Sequence, residues 1–447
     1  MMIQFLIDRF EDHADDTCII WHSRNITYSE MLHKINEASA FLHENGISSG
    51  MVVSITSDFT PNTIALILAL IQNENIVVPF THPIKKSELI KFEIAEVECN
   101  IEIDLEEDKY TLSFTGHTAK HSYFKKLRSD NRPGLVLFTS GTSGFPKGAV
   151  HDFTKLLAKF QTIRKSHRTV NFLLFDHWGG LNTMFHTLSN CGVVLALRER
   201  RPEAVCEFVQ RYKIELLPVS PSFLNLLILS ESYKSYDLSS LKLITYGTEP
   251  MPENTLKKAK ELFSAVTFQQ TYGLIELGVL RSKSRSDDSL WVKIGGEGFE
   301  LRVVDNILQI KADSAMIGYL NAPSPFTEDG YFITGDMVEQ DGEYFKILGR
   351  KSEIINVGGE KVYPQEVENV IVGYKGVTDV TVFSEKHPIT GNIVCAKINI
   401  ENVSDEKLFV KELKQYCKAN LQSFKVPVKI QVVLEALHSN RFKKQRS

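Results

Sequence analysis

The stretch Leu135-Val-Leu-Phe-Thr139-Ser140-Gly141-Thr142-Ser143-Gly144-Phe145-Pro146-Lys147-Gly148 decides how the chain is read. An apolar, β-prone run enters a loop of hydroxyl and glycine residues that ends in a lysine. Glycines let backbone N–H groups converge as an anion-binding nest, the hydroxyls add donors, and the lysine supplies a point charge. The loop therefore suits phosphates. It is not a Walker A loop, because Pro146 precedes the lysine and Gly148 follows it, where that motif needs a Gly before and a Ser or Thr after. A flexible linker would need neither the preceding strand nor the Pro-Lys-Gly stop.

Strand and helix patterns alternate outward from this loop. Thr27-Tyr28-Ser29-Glu30 has capping-box spacing ahead of Met31, Leu32, Ile35, Ala38, Phe41 and Leu42, and Gly46 stops that helix. Val52 to Ile55 reads as a strand, Thr63 to Ile71 as a helix and Ile76 to Val78 as the next strand, and the rhythm returns at Leu241 to Phe268 with a helix begun by Pro252. Such repeats imply an α/β fold of parallel-rich sheets flanked by helices. From about 290 to 350, short strands with Asp-Gly turns predict a β-rich subdomain. Beyond Arg350 the helix and strand patterns describe a small α+β unit. The expected division is thus a large domain, 1–350, and a small one, 351–447.

With 447 residues, 51 Lys+Arg and 55 Asp+Glu, the net charge is 51 − 55 = −4, which gives no electrostatic reason to expect nucleic acid as a partner. The longest aliphatic run, Ile64 to Ile71, is far short of the roughly 20 residues of a membrane span. No basic, cleavable leader opens the chain, so a cytoplasmic location is expected. Six scattered cysteines without a CxxC pair argue against disulfides or structural zinc.

The phosphate loop resembles the signature loop of the adenylate-forming superfamily, which comprises acyl- and aryl-CoA synthetases, adenylation domains of peptide synthetases, and luciferase. Further segments match in the family's order: Tyr272-Gly-Leu-Ile-Glu276, Tyr331-Phe-Ile-Thr-Gly335-Asp336, Gly349-Arg350-Lys351, and Val357-Gly-Gly359-Glu-Lys-Val362. The pattern lies nearest stand-alone acyl/aryl-CoA synthetases. The resemblance implies ATP-dependent activation of a carboxylic acid as an acyl adenylate with release of pyrophosphate. Transfer to a thiol then releases AMP. The acceptor is CoA or the phosphopantetheine of a separate acyl or peptidyl carrier protein.

The same resemblance assigns roles: it makes 1–350 the large ATP- and acid-binding domain and 351–447 the small mobile C-terminal lid. Thr139, Ser140, Gly141, Thr142, Ser143, Gly144 and Lys147 would hold the ATP phosphates, and Glu276 would bind Mg²⁺, with Ile275 standing where the family usually has a hydroxyl or Ala. Tyr272 would stack on adenine, Asp336 would take the ribose hydroxyls, and Arg350 would reinforce these contacts. The catalytic lysine falls at Lys443 or, with the register slipped, Lys444. Lys351 is the hinge, and Gly359 would line the thiol channel. In Phe175-Asp176-His177-Trp178-Gly-Gly-Leu-Asn182, aligning on His177 points to an acid without an α-amino group, while Asp176 leaves amino-acid adenylation open. His177, Tyr246, Gly247, Thr248 and Glu249 would line the acid pocket, with Phe223 nearby. A non-catalytic adenylate-binding relative remains the third reading, motivated by Ile275 and the irregular terminal motif.

Overall fold

Thr27 closes a capping box on the helix Tyr28–Glu44: its hydroxyl accepts from Glu30 N at 3.2 Å, and the Glu30 carboxylate accepts from Thr27 N at 2.7 Å. The structure is a computed structural model and describes residues 2–81, 88–139, 145–388, 390–401, 405–438 and 444. Thr60 caps the next helix, Pro61–Gln72, whose residues Thr63 to Ile71 are all buried. A helix apolar on every face must be covered on every face, and this one sits inside the largest core.

Two seven-stranded sheets carry the large portion. In the first, Thr267–Gln270, Leu243–Tyr246, Leu216–Val219, Arg168–Asn171, Val193–Ala196 and Thr17–Trp21 run parallel, and Arg24–Thr27 closes one edge antiparallel. In the second, Gly134–Thr139, Ile76–Thr81, Val52–Ser57 and Cys99–Ile103 are parallel, with antiparallel strands at both edges. The expected helix-covered parallel sheets are therefore present.

A six-stranded antiparallel sheet follows, built from Ser282–Ser284, Trp291–Ile294, Tyr344–Arg350, Phe332–Asp341, Ile307–Ala312 and Phe299–Val304. It begins at Ser282, earlier than the expected 290, because Ser282 to Ser284 pairs with the Trp291 strand. Pro252 is the cap of the helix Glu253–Leu262 rather than its first residue. Gly318–Tyr319 leaves this region to add an edge to the second sheet beside Lys147–Asp152. That excursion matters for the site.

Residues 355 to 432 assemble a core of their own from the helices Pro364–Val372 and Glu406–Asn420 and the sheet Val377–His387, Gly391–Ile400 and Lys429–Val432. Side chains tie this unit to the large portion: Asn225 Nδ2 donates to Thr378 O at 3.1 Å and Asn254 Nδ2 to Asn369 O at 3.2 Å. Among the described residues, no helix is long and apolar enough to cross a membrane.

Candidate functional site

The antiparallel pair Gly134–Thr139 and Lys147–Asp152 places Thr139 opposite Lys147, so the ends of the phosphate loop are fixed by sheet register. Ser140, Gly141, Thr142, Ser143 and Gly144 lie outside the described residues. Asn321 clamps the loop's exit, accepting from Gly148 N at 3.1 Å and donating through Nδ2 to Pro146 O at 2.9 Å. The Lys147 ammonium sits 5.5 Å from the centre of the Tyr319 ring, and Tyr319 donates its hydroxyl to Glu276 Oε1 at 2.5 Å. One tyrosine thus joins the loop's lysine to the predicted metal-binding carboxylate. Burial, reinforced by Glu276, pushes the Tyr319 hydroxyl up, so it stays protonated and donates.

A second group lies within electrostatic reach of Glu276, whose charge is felt by both Asp336 and Arg350. Asp336 and Arg350 are opposed across two strands. Arg350 Nε meets Asp336 Oδ1 at 2.6 Å, and the Tyr272 hydroxyl donates to Oδ2 at 2.6 Å. Thr334 accepts from Asp336 N at 3.0 Å and donates to Leu308 O at 2.7 Å, while Arg350 also donates to Thr334 O at 3.0 Å. Burial pushes the Asp336 carboxyl above the usual range, an effect that Arg350 and the Tyr272 hydroxyl partly offset. Each carboxylate oxygen has one partner and keeps a lone pair for another.

The loop after Leu243–Tyr246 meets the Tyr272 segment at the carboxyl ends of parallel strands, the usual place for a ligand crevice in such sheets. A side chain at Gly247 would come within 2.5 Å of Thr271 Oγ1 and 2.7 Å of Thr271 O, so only glycine fits there. Thr248 takes a left-handed backbone, φ 72°. Glu249 accepts from Ser222 N at 2.7 Å and from Lys444 N at 3.4 Å, and burial pushes its carboxyl up. Tyr246 is 1% exposed and belongs to the core of the first sheet, as does Phe223.

His177 caps the helix Trp178–Ser189, its Nδ1 accepting from Gly179 N at 3.1 Å. That bond puts the neutral ring's proton on Nε2. A side chain at Gly180 would meet Leu174 O at 2.2 Å, and one at Gly278 would meet Trp178 Nε1 at 3.1 Å, so glycines let the cap approach the segment just past Glu276. Ile275 packs against two hydrophobic cores, where a hydroxyl would find no apolar advantage.

Lys443 lies outside the described residues. Lys444 Nζ is 3.5 Å from Glu368 Oε2 and 4.0 Å from Asp379 Oδ1, a pairing within the C-terminal unit. Lys351 opens a short turn directly after the Tyr344–Arg350 strand. Gly359 joins Ile355–Val357 to Glu360–Val362 with φ 95° and open space where a side chain would stand. That hairpin's bonds run to Thr390 and Asn392, not to Glu276 or Asp336.

The profile of the AMP-binding enzyme family matches residues 7–332, and that of the AMP-binding enzyme C-terminal domain matches 366–444. The chain belongs to the AMP-binding enzyme family. Among curated relatives of this AMP-binding enzyme, a 2-succinylbenzoate–CoA ligase of Listeria innocua is 26% identical over 97% of the chain and 95% of the relative. A 4-coumarate–CoA ligase of Narcissus pseudonarcissus is 24% identical over 94% of the chain and 88% of its own length. Among solved structures, an anthranilate CoA ligase bound to anthranoyl-AMP superposes with TM-score 0.83 at 18% identity, covering 99% of the chain and 95% of that structure. The o-succinylbenzoate CoA synthetase of Bacillus subtilis gives TM-score 0.80 at 19% identity, covering 99% and 96%.

Tyr319, Asn321 and Ser222 were not legible as site residues. Gly318-Tyr319 is a two-residue strand without alternation, and its place beside Glu276 comes from long-range pairing alone.

Proposed function

We propose that this AMP-binding enzyme is an AMP-forming acid–thiol ligase. It activates a carboxylic acid with ATP, releases pyrophosphate, and passes the acyl group to the thiol of CoA with release of AMP. The observation that supports this best is the adjacency of two clusters, Lys147–Tyr319–Glu276 and Tyr272–Asp336–Arg350, with the charge of Glu276 reaching both Asp336 and Arg350. The first suits a polyphosphate and the second a ribose. In-line attack of a carboxylate on the α-phosphorus needs positioning and charge neutralisation, and both come from groups held before substrate arrives.

In this reading Thr139, Lys147 and the loop between them bind the phosphates. Asp336 accepts from the ribose hydroxyls while Arg350 fixes its orientation, and Tyr272 borders the adenine. Glu276 fits a magnesium site: Tyr319 occupies one of its oxygens and leaves the other for a hard cation. Among the described residues no group of three or more possible metal ligands exists, so phosphate oxygens and water would complete the shell. Bound there, magnesium would neutralise phosphate charge.

His177 borders the acid, with its ring turned by the cap so that Nε2 carries the proton. Lys443 supplies the ammonium between the carboxylate and the α-phosphate. The C-terminal unit, divided from the rest at Arg350 and Lys351, turns about Lys351 to bring Gly359 toward the thiol. A pantetheine carried by a separate protein presents the same thiol and is the alternative acceptor.

The test is ATP–pyrophosphate exchange over a panel of aryl, aliphatic and amino acids. Exchange that depends on an acid is the expected result. AMP binding without exchange on any member would establish the non-catalytic reading instead.

A further inference from the structure

Carboxylates from both units of the enzyme hold the end of the chain. Lys444 pairs with His438 as an antiparallel bridge, so the tail closes on itself at these two residues. The Lys444 ammonium lies 3.5 Å from Glu368 Oε2 and 4.0 Å from Asp379 Oδ1, and His438 Nδ1 lies 3.6 Å from Asp379 Oδ2. Glu368 is 2% exposed, and its other oxygen accepts from Val382 N at 2.9 Å. Withdrawing an ammonium from such a place would leave buried charge unpaired, so Lys444 is tied down.

A further contact crosses between the units. Glu249 accepts from Ser222 N through Oε1 at 2.7 Å and from Lys444 N through Oε2 at 3.4 Å. That second N–H belongs to the peptide bond joining Lys444 to Lys443, which itself lies outside the described residues. By resemblance Glu249 belongs with the acid, yet both of its oxygens already serve backbone donors, one of them the tail's. The cavity that Glu249 shares with Glu368, Asp379 and Lys444 holds about 20 Å³, room for about one water and for no acid.

Glu249 stands two residues after Gly247, at the carboxyl ends of the parallel strands, so its bond draws the tail to the crevice side of the sheet. Glu368, Asp379 and Lys444 all belong to the C-terminal unit. A turn about Lys351 would carry their pairs along intact, and of these contacts only the bond from Lys444 N to Glu249 would break. We infer that Glu249 is a positioning residue for adenylate formation: with Glu368 and Asp379 it clasps Lys444, an anchor rather than the reacting lysine, and so sets Lys443 for the α-phosphate. The catalytic role rests on the acid-activating reading, whereas the clasp can be tested without it.

Partial reactions read the positioning. Glu249→Leu should lower kcat of acid-dependent ATP–pyrophosphate exchange about 10-fold, the low end for a hydrogen bond to a charged group. The KM for the acid and thiol transfer from a supplied acyl adenylate should both stay unchanged. Glu249→Gln, which keeps one acceptor oxygen, should lose less. Glu368→Gln keeps an acceptor for Val382 N without the charge on Lys444, and should show a smaller loss of the same kind. Lys444→Met should cost less than Lys443→Met.

Limited trypsin digestion of the full chain reads the clasp without any reaction. The bond after Lys443 is the one whose N–H Glu249 accepts, so its cleavage should be about 10-fold faster in Glu249→Leu than in the wild type. Faster cleavage in that variant, in an enzyme that exchanges with no acid, would refute the activating reading and leave the clasp standing. An unchanged cleavage rate would remove the clasp. An unchanged kcat, a raised acid KM at constant kcat, equal loss in both half-reactions, or a greater loss in Lys444→Met than in Lys443→Met would each overturn the inference.

Discussion

The cluster around Asp336, proposed to hold the nucleotide, and the segment around Trp178 solve the problem of buried polarity in opposite ways. Around Asp336, each carboxylate oxygen, the Arg350 guanidinium, the Tyr272 hydroxyl and the Thr334 hydroxyl all have partners before any ligand arrives. Trp178 is buried, and its indole N–H has no partner among the described residues. A satisfied network is rigid and suits a constant ligand such as the adenosine proposed there. The difference places preorganisation at the Asp336 cluster.

The largest break expected is at Lys443, the proposed catalytic lysine. Lys443→Ala should lower adenylate formation about 100- to 1,000-fold, the effect of removing one preorganised donor to developing charge. Thioester formation from a supplied acyl adenylate should change little, and Gly359→Trp should do the converse. Equal loss of both steps in each variant would argue against rotation of the C-terminal unit.

Acid should weaken the fold next. Burial lowers His151 from 6.5 to about 4, so between these values the unfolded chain binds a proton that the folded chain refuses. Stability is then full above about pH 6.5 and falls as the pH drops toward 4, by up to about 3 kcal/mol from this residue. Urea midpoints recorded against pH should show that slope, and His151→Gln should flatten it. An unchanged slope would mean that His151 is not held neutral.

Asp336→Asn tests the satisfied network, because it leaves Arg350 without its carboxylate. The KM for ATP should rise about 10- to 100-fold. A normal KM would remove the ribose from this side of the crevice. The smallest effect belongs to Tyr319→Phe, which deletes the hydroxyl that holds Glu276. It should cost about 5- to 10-fold in kcat/KM for ATP and raise the magnesium concentration needed for half-maximal rate. Loss of rate at an unchanged magnesium requirement would place Tyr319 in the scaffold only.

What could be read from the sequence follows the range of the forces involved. Thr27 and Glu30 announce a helix because a capping box is closed within four residues, and the all-apolar Ile64 to Ile71 announces burial on every side. The Tyr272, Asp336 and Arg350 motifs were visible one by one, and the strand register brings Asp336 opposite Arg350. Tyr319 was invisible for the same reason. A two-residue edge strand has no periodicity, and its place beside Glu276 is set by pairing with a distant strand. Local chemistry was legible, and its enclosure by distant chain was not.

The central claim is that acid, ATP and thiol meet in one crevice with AMP as the product. Phosphorus NMR of the complete reaction, with ATP, magnesium, CoA and an acid that supports exchange, tests it most directly. The account predicts AMP and pyrophosphate in equal amounts, formed only when the acid is present and matched by acyl-CoA. Formation of ADP and phosphate, or AMP released at the same rate without any acid, would contradict it.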